Sequence, residues 1–205
     1  MAAKTERTVI GQYRGVTIEL VTVDSTGAEV DLSCACMFTH EINQQPLAGG
    51  LANLDAALGG QLSRARSQGA FSGRSLETLL IDRAPASAKS PTLLVIGMGE
   101  PEAWTPDTSA AAVACALRVG HLRGARSVAI APSILDTGIR PDGEFNTPML
   151  RGLKTQLDAL HLAHQLGLAQ APGIERWVFD TGSANYAQKV QQYQSAFAAV
   201  MGSAG

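Results

Sequence analysis

The 205-residue chain has no run of eighteen apolar residues, so no transmembrane helix is expected. Its first eight residues, Met1 to Thr8, are polar and charged and lack the apolar centre of a secretory signal. Cysteine is scarce, and the odd count of three (Cys34, Cys36 and Cys115) supplies no disulfide framework; a reducing, cytoplasmic setting is expected. Charge of either sign is thin: 16 basic and 18 acidic residues give a net charge of −2, and the basic residues form no dense cluster. Strong sequence-independent nucleic-acid binding, which needs a concentrated basic surface, is therefore not expected. Aromatics make up only 5%. What remains is an ordinary globular balance, 45% hydrophobic and 17% charged, long enough to bury a core without disulfides or metals.

The pattern along the chain is that of one α/β domain over 8–205 behind a loose polar tail at 1–7. Strands are expected at 15–24, 31–38, 76–82, 92–97, 127–131 and 174–179, where β-branched and apolar residues cluster. The nearly continuous run Thr92-Leu-Leu-Val-Ile-Gly97 reads as a strand covered on both faces. Leu51, Leu54, Leu58 and Leu62 recur at helical spacing, with Gly59-Gly60 interrupting and close packing on a neighbouring backbone as the compensation. Thr105-Pro106-Asp107 has the cap, proline and acidic first turn of a helix start, and Gly124 its stop. Thr147-Pro148 repeats the start signal before the stripe Leu150, Leu153, Leu157 and Leu160. Ser183 stands where it would cap a last helix with the stripe Tyr186, Val190, Tyr193, Phe197 and Val200. The alternation of strand and helix in the second half predicts a mostly parallel sheet with helices on both faces, and the consecutive early strands make it mixed: a three-layer α/β/α architecture.

Two stretches resemble the N-terminal domain of the M17 leucyl aminopeptidase family. One is Asn53-Leu-Asp-Ala-Ala-Leu-Gly-Gly-Gln-Leu, followed by Gly69-Ala-Phe-Ser-Gly and Glu77-Thr-Leu-Leu-Ile. The other is Leu93-Leu-Val-Ile-Gly-Met-Gly-Glu, then Trp104-Thr-Pro-Asp and Gly124-Ala-Arg-Ser-Val-Ala-Ile. The resemblance runs over residues 16–180 and implies a macro-domain-like fold. In the family the metal ions and the peptidase chemistry belong to a separate C-terminal domain, which the chain is expected to stop short of. Its hallmark Asn-Thr-Asp-Ala-Glu-Gly-Arg is absent here. Phe179-Asp-Thr-Gly-Ser183 resembles a metal-site segment of that catalytic domain, but Asp180 stands without the other carboxylates that a two-metal site requires. It reads as a strand end turning into a helix cap.

No catalytic residue, metal site or cofactor is therefore expected. Cys34-Ala-Cys36 with His40 lacks a fourth zinc ligand, and both thiols fall on one face of a strand, as core residues do. His161 and His164 have a metal-compatible i, i+3 spacing, yet His164 continues the leucine stripe and reads as partly buried. Gly97-Met-Gly99 follows a strand and precedes a helix, where glycines let a phosphate approach, although Glu100 and Glu102 oppose one and G-x-G-x-x-G is not completed. Ligands of open α/β sheets gather beyond the carboxyl ends of strands, so Gly97, Gly99 and Trp104, with the loops 97–105 and 132–146, are the candidate ligand-binding positions. Macro domains bind ADP-ribose in such loops, but their signature of an early aspartate with glycine-rich phosphate loops is not recognisable. The expected role is a non-catalytic module acting through a protein partner or self-association. The alternatives are a macro-like nucleotide or ADP-ribose binder, and an accessory subunit of a split M17 metalloaminopeptidase.

Overall fold

The computed structural model describes residues 5–41, 47–132 and 146–202. Seven strands, β1 (Arg7–Tyr13), β2 (Val16–Val21), β3 (Leu32–Met37), β4 (Thr78–Ile81), β5 (Thr92–Gly97), β6 (Ser127–Ala131) and β7 (Arg176–Asp180), form one sheet in the order β1-β2-β7-β6-β3-β5-β4. The pairs β2–β7, β7–β6, β6–β3 and β3–β5 are parallel, and each outermost pair, β1–β2 and β5–β4, is antiparallel. The expected mixed, mostly parallel sheet is what forms. The helices are α1 (Gly49–Ala57), α2 (Gln61–Ser67), α3 (Pro106–Leu122), α4 (Asn146–Gln165) and α5 (Tyr186–Met201), with a 3-10 turn at Pro101–Ala103. β1 begins at Arg7, inside the stretch read as tail, where Glu6 N also donates to Thr22 Oγ1.

Strand side chains alternate between two covered faces. Ile18, Leu20, Cys34, Cys36, Leu94, Ile96, Ile130, Trp177 and Phe179 meet α3, α4 and α5. The opposite residues of β3 and β5, Ala35, Met37, Leu93 and Val95, meet Leu51 and Leu54 of α1, Leu62 of α2 and Phe71. Towards β2 and β7 that second face is closed by residues 22–31 instead, through Ala28 and Val30 on Val21, Ala129 and Val178. Both thiols of the Cys34-Cys36 pair are fully buried in the first layer, and burial drives their pKa values upward, Cys36 to about 12. They are packing groups held as thiols.

The Leu150, Leu153, Leu157 and Leu160 stripe is buried as expected, but His164 is exposed, its Nδ1 3.2 Å from Ala169 O. His161 Nδ1 lies 2.9 Å from Leu157 O. Asn185, with φ 54°, precedes α5 in place of Ser183, since the chain leaves β7 through two further residues before turning. Gly59 and Gly60 split the expected single helix into α1 and α2, and nothing lies within 4 Å of where their Cβ atoms would stand. Their φ values of 62° and 78°, not a close backbone approach, explain both glycines. The Thr105 cap is as read: Thr105 N donates to Thr108 Oγ1 at 3.1 Å.

α3 and α4 lie against each other so closely that a Cβ on Gly152 would come within 2.5 Å of the Ala110 carbonyl oxygen. Helix propensity alone favours Gly→Ala in a helix interior by about 1 kcal/mol. The helix contact reverses the sign. Gly152→Ala is expected to lower stability by about 1–3 kcal/mol, the cost of overpacking, as read by urea denaturation; a stabilised variant would disprove the contact.

Candidate functional site

Five parallel strands bring their carboxyl ends to one edge of the sheet, the position where α/β folds place ligands. The candidates Gly97, Gly99 and Trp104 all lie at this edge, but their polar groups are turned inward. Gly97 N donates to Glu77 O at 2.7 Å, and Leu76 N donates to Gly97 O at 2.8 Å. A Cβ on Gly97 would overlap the Arg74 carbonyl oxygen and stand 2.7 Å from Gly73 C. Gly99 N donates to Gly73 O at 2.9 Å, and Thr39 N to Gly99 O at 3.1 Å. Residues 73–77 thus lie where a phosphate would approach. Gly97 is small because a backbone passes over it, and Gly99, at φ 78°, turns the chain beneath that segment. Trp104 packs half-buried on the main core and donates its indole N–H to Ser109 Oγ at 3.1 Å. Of the second candidate loop, residues 133–145 lie outside the described residues.

The segment after β3 is tied to the same stack. Phe38 N donates to Glu41 Oε2 at 2.6 Å, and the buried Arg66 guanidinium donates to Thr39 O and to Glu41 O. Burial depresses the Arg66 pKa, while the charges of Glu41 and Glu77 oppose that shift. Nothing in the spacing of Arg66, Gly73 and Glu41 announces this arrangement, which only the fold assembles.

A second group forms where β2 and β7 end side by side, with Val21 opposite Asp180. Asp24 Oδ1 accepts from Thr26 N, Thr26 Oγ1 and Gly27 N at 3.0, 2.6 and 2.9 Å, and its Oδ2 from Asn53 Nδ2 at 2.9 Å. Burial disfavours this carboxylate, but these donors outweigh it and hold its pKa below the usual range. Asp180 accepts from Gly182 N at 3.0 Å; burial, joined by the charge of Asp24, pushes its pKa up to about 7. Lys189 donates to Thr181 O rather than to either carboxylate. Asp180 therefore closes the turn after β7, as its sequence context suggested. Among the described residues no three His, Cys, Asp or Glu side chains gather as a metal would need.

A family model described as the cytosol aminopeptidase family, N-terminal domain, matches residues 37–140, just over half of the chain. The chain belongs to this family. By structure, the aminopeptidase N-terminal domain described here is similar to a tomato leucine aminopeptidase K354E mutant, with 19% identity and a TM-score of 0.62 over 91% of this chain and 36% of that one. It thus spans about a third of the tomato enzyme's length. It is similar also to an Oceanobacillus iheyensis macrodomain with ADP (13% identity, TM-score 0.62, 98% and 99% of the two chains). A Trypanosoma brucei macrodomain in complex with ADP matches at 16% identity and TM-score 0.59 over 87% and 68%. These likenesses establish the macrodomain-like fold. No curated protein matches by sequence.

The Asp180 carboxyl, near 7 when folded and near the ordinary value of about 4 when unfolded, binds its proton more tightly in the native state. Its contribution to stability is thus present below pH 4 and is lost as pH rises towards 7. Asp180→Asn is expected to raise the melting temperature by about 2–5 °C at pH 8, and by less at pH 4. Melting curves at both pH values check this, and an equal shift at both would contradict it.

Proposed function

We propose that this aminopeptidase N-terminal domain works as a non-catalytic assembly module, binding a protein partner or a second copy of itself. The observation that carries this reading is apolar surface left uncovered. Leu122 at the end of α3 is 78% exposed, and Leu162, Leu166 and Leu168, at and just beyond the end of α4, are also exposed. α3 and α4 pack along one another, so these leucines crowd one end of the molecule. An open apolar groove of about 570 Å³ lies on the opposite layer, lined by Leu58, Leu62, Ala65, Leu79, Ile81 and Arg83 among others. The Gly97–Gly99 turn is meanwhile covered by residues 73–77.

A second reading, a nucleotide or ADP-ribose binder, draws on a different observation. Asp24 is held by four hydrogen bonds beyond the carboxyl end of β2, where its charge acts on Asp180, in a fold shared with macrodomains solved with ADP. Two measurements separate the readings. The purified chain, supplied with zinc or manganese, is expected to leave a leucyl chromogenic substrate unhydrolysed, and calorimetric titration with ADP-ribose is expected to give no saturable heat. Metal-dependent hydrolysis would overturn the module reading, and a one-to-one ADP-ribose isotherm would replace it with the second.

A further inference from the structure

The terminal strand β4 is an edge whose only built-in protection is its length of four residues. Natural edge strands carry charge, proline or a bulge that blocks further pairing. Thr78-Leu79-Leu80-Ile81 has neither charge nor proline, and its three apolar side chains are only half-buried. Leu79 and Ile81 lean on the layer of α1 and α2, and Leu80 on that of α3. β4 pairs with β5 alone in the described sheet.

Backbone geometry says which groups face outward. Gly97 N donates to Glu77 O, and the antiparallel register continues Leu79↔Val95 and Ile81↔Leu93. Hydrogen-bonding direction alternates along such a ladder, so the Glu77 carbonyl and the backbone groups of Leu79 and Ile81 are directed at β5 and those of residues 78, 80 and 82 away from it, while the Glu77 amide turns back to Arg74 O. Thr78 and Leu80 therefore present amides and carbonyls to the free edge.

The flanking sequence is complementary to itself. A two-fold axis along the sheet normal at Leu80 sets two β4 strands antiparallel and keeps each face of the sheet on its own side. In this register Leu80 meets the other copy's Leu80, and Leu79 meets Ile81. Thr78, whose hydroxyl can donate, meets Asp82. Glu77 meets Arg83, twice over. Each face is internally consistent. Arg83 lines the groove beside Leu79 and Ile81, on the α1–α2 side. Asp82 is on the α3 side, where Arg123 at the end of that helix donates to it. Arg83 has no hydrogen-bond or ion-pair partner among the described residues, and Asp82 has a second oxygen to offer. Glu77 uses only Oε2, for Ser72 and Arg74. Moving the axis by one residue to Leu79 puts Glu77 opposite Ile81 and loses both ion pairs, and moving it to Ile81 puts Leu80 against Asp82. Registers of the other parity mismatch the faces.

We propose that the occupant of the β4 edge is a second copy of this chain, joined β4 to β4 about Leu80 so that the two seven-stranded sheets become continuous. This rests on the assembly reading above and names its surface. Sedimentation across concentration is expected to show a monomer–dimer equilibrium weakened by added salt. Thr78 and Leu80 amides should become protected from hydrogen exchange as the dimer fills, while Leu79 and Ile81 amides stay protected at every concentration. Arg83→Glu should weaken dimerisation at least tenfold and Thr78→Pro should abolish it, both with an unchanged monomer melting curve. If either variant misfolds, the exchange pattern of the unaltered chain decides. A chain that remains monomeric, or a dimer in which Thr78 and Leu80 exchange freely, overturns the inference. Those outcomes leave the module reading to stand on a different partner, whereas metal-dependent peptidase activity removes that reading whatever β4 does.

Discussion

Four strands in the middle of the sheet, β7, β6, β3 and β5, are apolar on both faces, and the arrangement of everything else follows from covering them. β3 shows the constraint in its plainest form: each of its six residues, Leu32 to Met37, is buried. A side chain of leucine size gains about 1.5–3 kcal/mol on leaving water, so neither face can be left open. The long helices α3, α4 and α5 close one side. The short helices α1 and α2 with residues 22–31 close the other. The two antiparallel edges, β1 and β4, are what remains once no further helix is available.

The same requirement for cover reaches the carboxyl edge. A turn of Gly97 and Gly99 resembles a ligand cradle in sequence, yet residues 73–77 lie across it and take its hydrogen bonds. A buried arginine, Arg66, then satisfies the carbonyls of Thr39 and Glu41 beneath. Buried backbone groups need partners, and here the chain supplies them itself. The uncovered apolar surface is displaced to the β4 edge and to the leucines ending α3 and α4.

Much of the fold was legible in advance because local signals agreed. The runs at 92–97 and 127–131, the Thr105-Pro106 start and the stripes of α4 and α5 each pointed to the element that forms. β1 is not legible in advance because Thr8 to Tyr13 mixes polar and apolar residues; only its pairing with Val16–Val21 and the packing of α5 make it a strand. The glycine pair at 59–60 is legible as an interruption, but its cause is not, since the sign of φ is not written in composition.

Periodicity and apolar runs, read from the residues alone, determined that this is a mixed α/β sheet with helical layers, and two collinear motifs determined its family. These are short-range properties, set by side-chain chemistry within a few turns or strand steps. The tertiary structure decided what those properties leave open: that the candidate glycine turn is packed shut, that the charge of Asp24 reaches Asp180, and that Thr78 to Ile81 is a bare edge. All three depend on contacts between residues far apart in the chain, and no local pattern encodes which distant backbone will arrive.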